Sequence, residues 1–123
     1  MTNFPFILSE ILSDNESIKL EIDSISNLII NPGDVKKISF SAKNIGTSFL
    51  NECELIGEGK YSSWISSSGI KDLNVGENYE FIFDLNVPED LEAAAYELSV
   101  SVVCEEINKT NNFIAEVVEK KLK

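Results

Sequence analysis

From Pro32 onward, apolar and polar residues alternate with a period of two, interrupted by turn signals about every eight to twelve residues. Residues 17–25 put Ile18, Leu20 and Ile22 on one face, and residues 37–44 put Ile38, Phe40 and Ala42 on one face. Residues 51–56 align Cys53 with Leu55, and residues 63–67 form a short strand around Trp64. Residues 79–87 read as a regular strand, with Tyr79, Phe81, Phe83, Leu85 and Val87 inward. Residues 96–104 alternate equally well through Tyr96, Leu98, Val100, Val102 and Cys104, and residues 113–118 close the set. Between them, Asn31-Pro32-Gly33-Asp34, Asn44-Ile45-Gly46, Asn74-Val75-Gly76-Glu77 and Pro88-Glu89-Asp90 supply turns, and residues 108–112 read as a further one. Residues 92–96 have the alanines for a single helical turn, and no other helical period stands out after residue 16. Seven strands predict an all-β, seven-stranded, immunoglobulin-like (fibronectin III-like) antiparallel β-sandwich over residues 17–119.

The first sixteen residues break the pattern. Phe4, Phe6, Ile7, Leu8, Ile11 and Leu12 suit a short amphipathic helix, an extra strand, a packed tail or a docking segment. Residues 120–123 read as a frayed end.

Composition narrows the chemistry. The chain has 123 residues, enough for one core, and 43% of them are hydrophobic. Its formal net charge is −11, and all ten basic residues are Lys. No basic face for displacing phosphate counterions can be assembled, so nucleic acid is excluded as a partner and anionic membrane surfaces are disfavoured. The absence of His removes the commonest general base and transition-metal ligand, and the absence of Arg removes bidentate anion clamps. The apolar stretch from Phe4 to Leu8 is too short to span a bilayer and lacks the positive flank of a signal peptide. The expectation is a segment of a longer exported chain.

Several stretches resemble a known family. Pro32-Gly33-Asp34, followed by Ile38-Ser39-Phe40-Ser41-Ala42-Lys43-Asn44-Ile45-Gly46, looks like the opening of NEW3-type immunoglobulin-like domains and of the related CARDB-type adhesion domains. Leu73-Asn74-Val75-Gly76-Glu77, the run from Phe81 to Pro88, and Tyr96-Glu97-Leu98 are similar to later family positions, so the likeness covers about residues 30–104. It implies a β-sandwich accessory module of archaeal or bacterial surface and secreted proteins, with no catalytic residues to carry over. The N-terminal sixteen residues and both cysteines fall outside the family pattern.

Cys53 starts the third predicted strand and Cys104 ends the sixth. In an immunoglobulin-like sandwich these strands are antiparallel neighbours, which brings the two residues together on the inward face. A disulfide there would stabilise the fold by about 3–4 kcal/mol and place it outside a reducing cytosol. The alternative is two buried thiols acting as small hydrophobes. Asn15 and Asn108 fit the N-glycosylation sequon, although this composition yields roughly two chance matches. Tyr61 and Trp64 are candidates for stacking on a sugar or a partner; the alternative is a cover for the core edge. Asp23, Asp34, Asp72, Asp84 and Asp90 lie near strand ends, but no Asp-x-Asp-x-Asp-Gly loop exists, and no metal site or cofactor is assigned. Ser66-Ser67-Ser68 has no His to activate a nucleophile. The reading is a non-enzymatic, extracytoplasmic interaction or spacer module with a protein or glycan partner, and neighbouring domains or self-association remain open. The alternatives are a carbohydrate-binding module using Tyr61 and Trp64, and a surface filament or layer subunit that docks through its N-terminal segment.

Overall fold

The computed structural model describes residues 17–119, so the N-terminal extension, Asn15 and the frayed C-terminus expected from the sequence lie outside the described residues. Nine strands and one 3-10 turn follow in order: β1 (Leu20–Ile22), β2 (Leu28–Ile30), β3 (Val35–Asn44), β4 (Leu50–Glu58), the turn Ser62–Trp64, β5 (Ile65–Ser66), β6 (Lys71–Leu73), β7 (Asn78–Asn86), β8 (Ala94–Val103) and β9 (Asn108–Val117). They form two sheets, a four-stranded one ordered β1-β3-β7-β5 and a five-stranded one ordered β2-β9-β8-β4-β6. Phe40, Phe81, Phe83 and Leu85 of the first sheet and Leu55, Leu98, Val100, Val102 and Phe113 of the second belong to one buried cluster. The Phe83 and Phe113 rings meet across it at 6.1 Å. The two-residue alternation therefore buries one face of each long strand, as its side-chain geometry requires.

Several expectations are corrected. The expected first strand divides into two. β1 pairs antiparallel with β3, Leu20 opposite Asn44, and the chain then crosses between sheets so that β2 pairs parallel with β9, Leu28 opposite Ala115. The crossing is fixed by polar side chains: Asn111 donates to the Asp23 carbonyl, and the Ile114 N–H donates to Asn27 Oδ1 at 2.9 Å. The strands are thus not all antiparallel, and nine replace the predicted seven. Ile18, expected inward, is 42% exposed because it precedes β1. β6 is an additional edge strand on β4, too short for any periodicity to show. Residues 94–96 extend β8 instead of forming a helical turn.

The turn expected at residues 108–112 lies earlier, at residues 104–107, and β9 begins at Asn108 opposite Val103. The polar run that signalled a turn instead carries cross-strand hydrogen bonds. Ser99 Oγ donates to Asn112 Oδ1 at 2.6 Å, and the Ser101 and Thr110 hydroxyls lie 2.8 Å apart.

Two poles follow from the strand directions. Residues 17–19 and the loops 45–49, 74–77 and 104–107 gather at the upper pole, where Ile45 N–H donates to the Lys19 carbonyl and Asn44 N–H to the Glu77 carbonyl. Residues 31–34, 59–64, 87–93 and 118–119 gather at the lower pole, where Gly33 N–H donates to the Val87 carbonyl and Val118 N–H to the Ile30 carbonyl. The described chain thus enters at one pole and leaves at the other.

Asn44-Ile45-Gly46 anchors the upper pole. The Asn44 side chain is fully buried, and its amide group donates to the carbonyls of Ser48 (2.8 Å) and Leu73 (3.1 Å) while its Oδ1 accepts from Gly46 N–H (3.0 Å). A Cβ on Gly46 would lie 2.5 Å from the Ser17 carbonyl oxygen and 2.8 Å from the Lys19 nitrogen, so only glycine allows the incoming chain this close.

Candidate functional site

Tyr61 precedes and Trp64 ends a 3-10 turn, and both pack with Tyr96. Ring centroids are 4.6 Å apart for Tyr61 and Trp64, 5.5 Å for Trp64 and Tyr96, and 5.4 Å for Tyr61 and Tyr96. Trp64 is only 8% exposed, which leaves no open indole face, and Tyr61 is half-buried against the core. The Tyr96 hydroxyl donates to the Glu92 carbonyl at 2.7 Å, a tyrosine corner of the kind that ties the start of this strand to the preceding loop in immunoglobulin-like domains. The geometry of the three rings is that of a plug at the lower end of the core.

Cys53 and Cys104 form a disulfide spanning 51 residues of sequence, with Cα atoms 3.9 Å apart. The pair continues the β4–β8 register one step beyond Glu54 opposite Val103, and so clamps the 104–107 loop to β4. Beside it, Glu52 has a positive φ of 52° where the β4–β6 register shifts, and its N–H donates to Asp72 Oδ1 at 2.8 Å. Glu106 receives the Asn51 N–H and side-chain amide, which hold its carboxyl below the ordinary value. Glu105 is pushed up, chiefly by the nearby charge of Glu52. Among the described residues no group of three or more Asp, Glu, Cys or His is placed to hold a metal ion. Asp34 bonds to Asn31, and Asp84 pairs with Lys37 at 3.0 Å.

Asn108 is exposed at the head of β9, while the Thr110 hydroxyl of its sequon is engaged by Ser101.

A further surface feature lies along β7. β5 pairs with β7 only at Ile65–Leu85 and Ser66–Asp84, whereas β3 pairs with β7 from Val35–Asn86 to Lys43–Asn78. On the side away from β3, residues 78–83 of β7 therefore face no strand among the described residues. A groove of about 160 Å³ opens there, bounded by Ser67, Gly69 and Ile70 on one side and by Tyr79, Phe81 and Ile82 on the other, with Leu55 also lining it. Ile70 is 60% exposed, Ile82 48% and Tyr79 39%. Tyr79 was expected inward; it sits at the strand's upper end on the surface, its ring edge-on to Phe81 at 4.9 Å and with Lys71 Nζ 5.4 Å from its centre. Ile82 carried a signal that alternation had overlooked, an isoleucine on the otherwise polar face of a strand. Ile70 carried none, because it lies in an irregular crossing between sheets.

No family model matches the chain, and no curated protein matches it. Solved structures do. A family 123 glycoside hydrolase from Clostridium perfringens aligns over 84% of this chain with a TM-score of 0.68 and 12% identity, and the chain spans only 27% of that enzyme. The ASH/PapD-like domain of human CEP192 aligns over 86% of this chain and 89% of its own length, with a TM-score of 0.57 and 15% identity. A CARDB domain from Pyrococcus furiosus, solved in complex with di-metal ions, aligns over 83% and 88%, with a TM-score of 0.57 and 14% identity. At these identities the likeness is one of fold. The chain has an immunoglobulin-like fold, and the NEW3-type resemblance is not reproduced by any family match.

Proposed function

We propose that the chain is a non-catalytic module of the NEW3 and CARDB kind, an extracytoplasmic immunoglobulin-like sandwich that spaces and connects other parts of an exported protein. The observation that supports this reading is the polarity of the fold: the described residues begin beside residues 45–47 and end beside Ile30, at opposite poles. Domains on either side would thus be held apart by the full length of the strands, roughly 30 Å for a ten-residue strand such as β3. The disulfide supports a place outside a reducing cytosol. The net charge of −11 disfavours acidic partners and membranes, and points to neutral or basic protein surfaces.

The test is a replacement in the parent protein. An unrelated immunoglobulin-like domain of equal length, entered and left at the same poles, should restore function lost on deleting this module. If only the native module restores it, the spacer reading fails and specific recognition takes its place. Hydrolysis of a polysaccharide or protein substrate by the isolated chain would overturn the non-catalytic reading.

A further inference from the structure

One side of β7 is only partly used. The Asn44 N–H donates to the Glu77 carbonyl and the Val87 N–H to the Asp34 carbonyl, in line with the β3–β7 register. Bonding residues alternate along an antiparallel pair, so the odd-numbered residues of β7 bond to β3 and the even-numbered ones turn the other way. On that other side β5 pairs only with Asp84 and Leu85. Asn78, Glu80 and Ile82 therefore direct three N–H and three C=O groups to a side where no strand stands among the described residues. A bare edge of this kind is a template for an added strand.

The side chains along this edge divide by face. Tyr79 and Phe81 share the inward face and line the groove together with Leu55 and Ile70. Asn78, Glu80 and Ile82 share the outer face and are exposed. The charges around them are matched except for one. Lys37 pairs with Asp84 at 3.0 Å, Lys43 stands opposite Glu21 in the β1–β3 register, and Lys71 pairs with Glu77 at 2.9 Å. Glu80, in the middle of the open edge, forms no ion pair among the described residues. A second copy is a poor occupant. An antiparallel pairing that used all three bonding residues of both edges would set Glu80 opposite Glu80, between chains that each carry a net charge of −11.

We propose that the open edge of β7 binds an extended segment of another protein, one that is largely apolar and carries a Lys or Arg opposite Glu80. The added strand runs antiparallel to β7, the direction β5 already takes on this side. Its backbone bonds to Asn78, Glu80 and Ile82. Its inward side chains, opposite Tyr79 and Phe81, are apolar and enter the groove beside Leu55 and Ile70. Its outward side chains set the cation beside Glu80 and an apolar group beside Ile82, which is 48% exposed. Main-chain bonds supply the affinity of such an addition, and the alternate side chains supply its selectivity. The site stands whether or not the module also holds its neighbours apart.

NMR titration of the full 123-residue chain with the end-capped peptide Thr-Val-Val-Lys-Val-Thr tests this, with sedimentation to fix the mass of the unbound chain. In the antiparallel register its lysine falls opposite Glu80 and its valines opposite Tyr79, Phe81 and Ile82. The amides of Asn78, Glu80 and Ile82 should shift on binding and exchange at least ten-fold slower in the complex, with those of β8 and β9 unchanged. Methylating the backbone nitrogen of the peptide's lysine should abolish binding. The same peptide with glutamate in place of lysine should bind about five-fold more weakly, and Glu80→Lys should reverse that order. Glu80 is exposed, so this variant should keep the fold. No binding at millimolar peptide, or equal affinity for the two peptides, would overturn the proposal. So would slow exchange of the three amides in the unbound monomer, since the edge would then be filled already. Protection that fades as the unbound chain is diluted would overturn it too, since the occupant would then be a second copy.

Discussion

Replacing Asn44 by Ala tests the central claim about the upper pole. In the native chain this side chain makes three hydrogen bonds, two given to the Ser48 and Leu73 carbonyls and one accepted from Gly46 N–H, and it has no exposed surface. Alanine would leave all three backbone groups without this partner, the Gly46 N–H and the Leu73 carbonyl in buried positions and the Ser48 carbonyl in a part-buried one. A hydrogen bond of this kind contributes about 1 kcal/mol net, and an orphaned buried group costs about 1–3 kcal/mol. The expected loss is therefore at least about 3 kcal/mol, a large part of the 5–15 kcal/mol typical of a domain. Urea unfolding followed by Trp64 fluorescence gives the midpoint, and the slope should stay constant because the surface exposed on unfolding hardly changes. Asn44→Asp should be as damaging, since it keeps the acceptor for Gly46 but turns negative oxygens toward two carbonyls. Asn78→Ala, at an exposed site, is the control and should change little. A loss below about 1 kcal/mol for Asn44→Ala would refute the reasoning, because it would mean that water or a relaxed loop satisfies the three groups.

Three further outcomes are expected. Replacing Cys53 and Cys104 together by Ala should lower stability by about 4 kcal/mol, the chain-entropy value for a 51-residue loop, and calorimetry with and without reductant checks it. Trp64→Ala should destabilise the fold by about 3–5 kcal/mol as a core truncation; if it instead left stability intact and abolished binding to a glycan panel, the carbohydrate-binding alternative would gain over the core role. The carboxylates at the upper pole respond to pH in opposite senses. Glu77 is held below its ordinary 4.5 by the Asn74 N–H and Lys71, and Glu106 by Asn51, so their contributions are present above the unfolded-state value and are lost as pH falls through the folded ones. Glu105 is raised, chiefly by Glu52, so its contribution is present below the unfolded-state value and is lost as pH rises through the folded one. Glu52→Gln should bring the Glu105 midpoint down in an NMR titration, and an unmoved midpoint would show that Glu52 is not the cause.

The amino-acid sequence by itself determined the all-β class, most inward faces and the separation of the long strands. A two-residue period that places Phe40, Phe81, Phe83, Leu98 and Val100 on buried faces is a local signal, and each strand carries it independently. The meeting of the third and sixth predicted strands was also legible, since the fold class fixes which strands are neighbours. What the tertiary structure alone decided concerns short or polar segments, whose conformation depends on partners distant in the chain. The crossing at residues 23–27 is held by Asn111, a residue 88 positions from Asp23. The polar run 108–112 became strand because Ser99 and Ser101 were waiting opposite it. The open edge of β7 exists because β5 pairs with only two of its residues before the chain leaves the sheet, a length that no periodicity in so short a segment could announce.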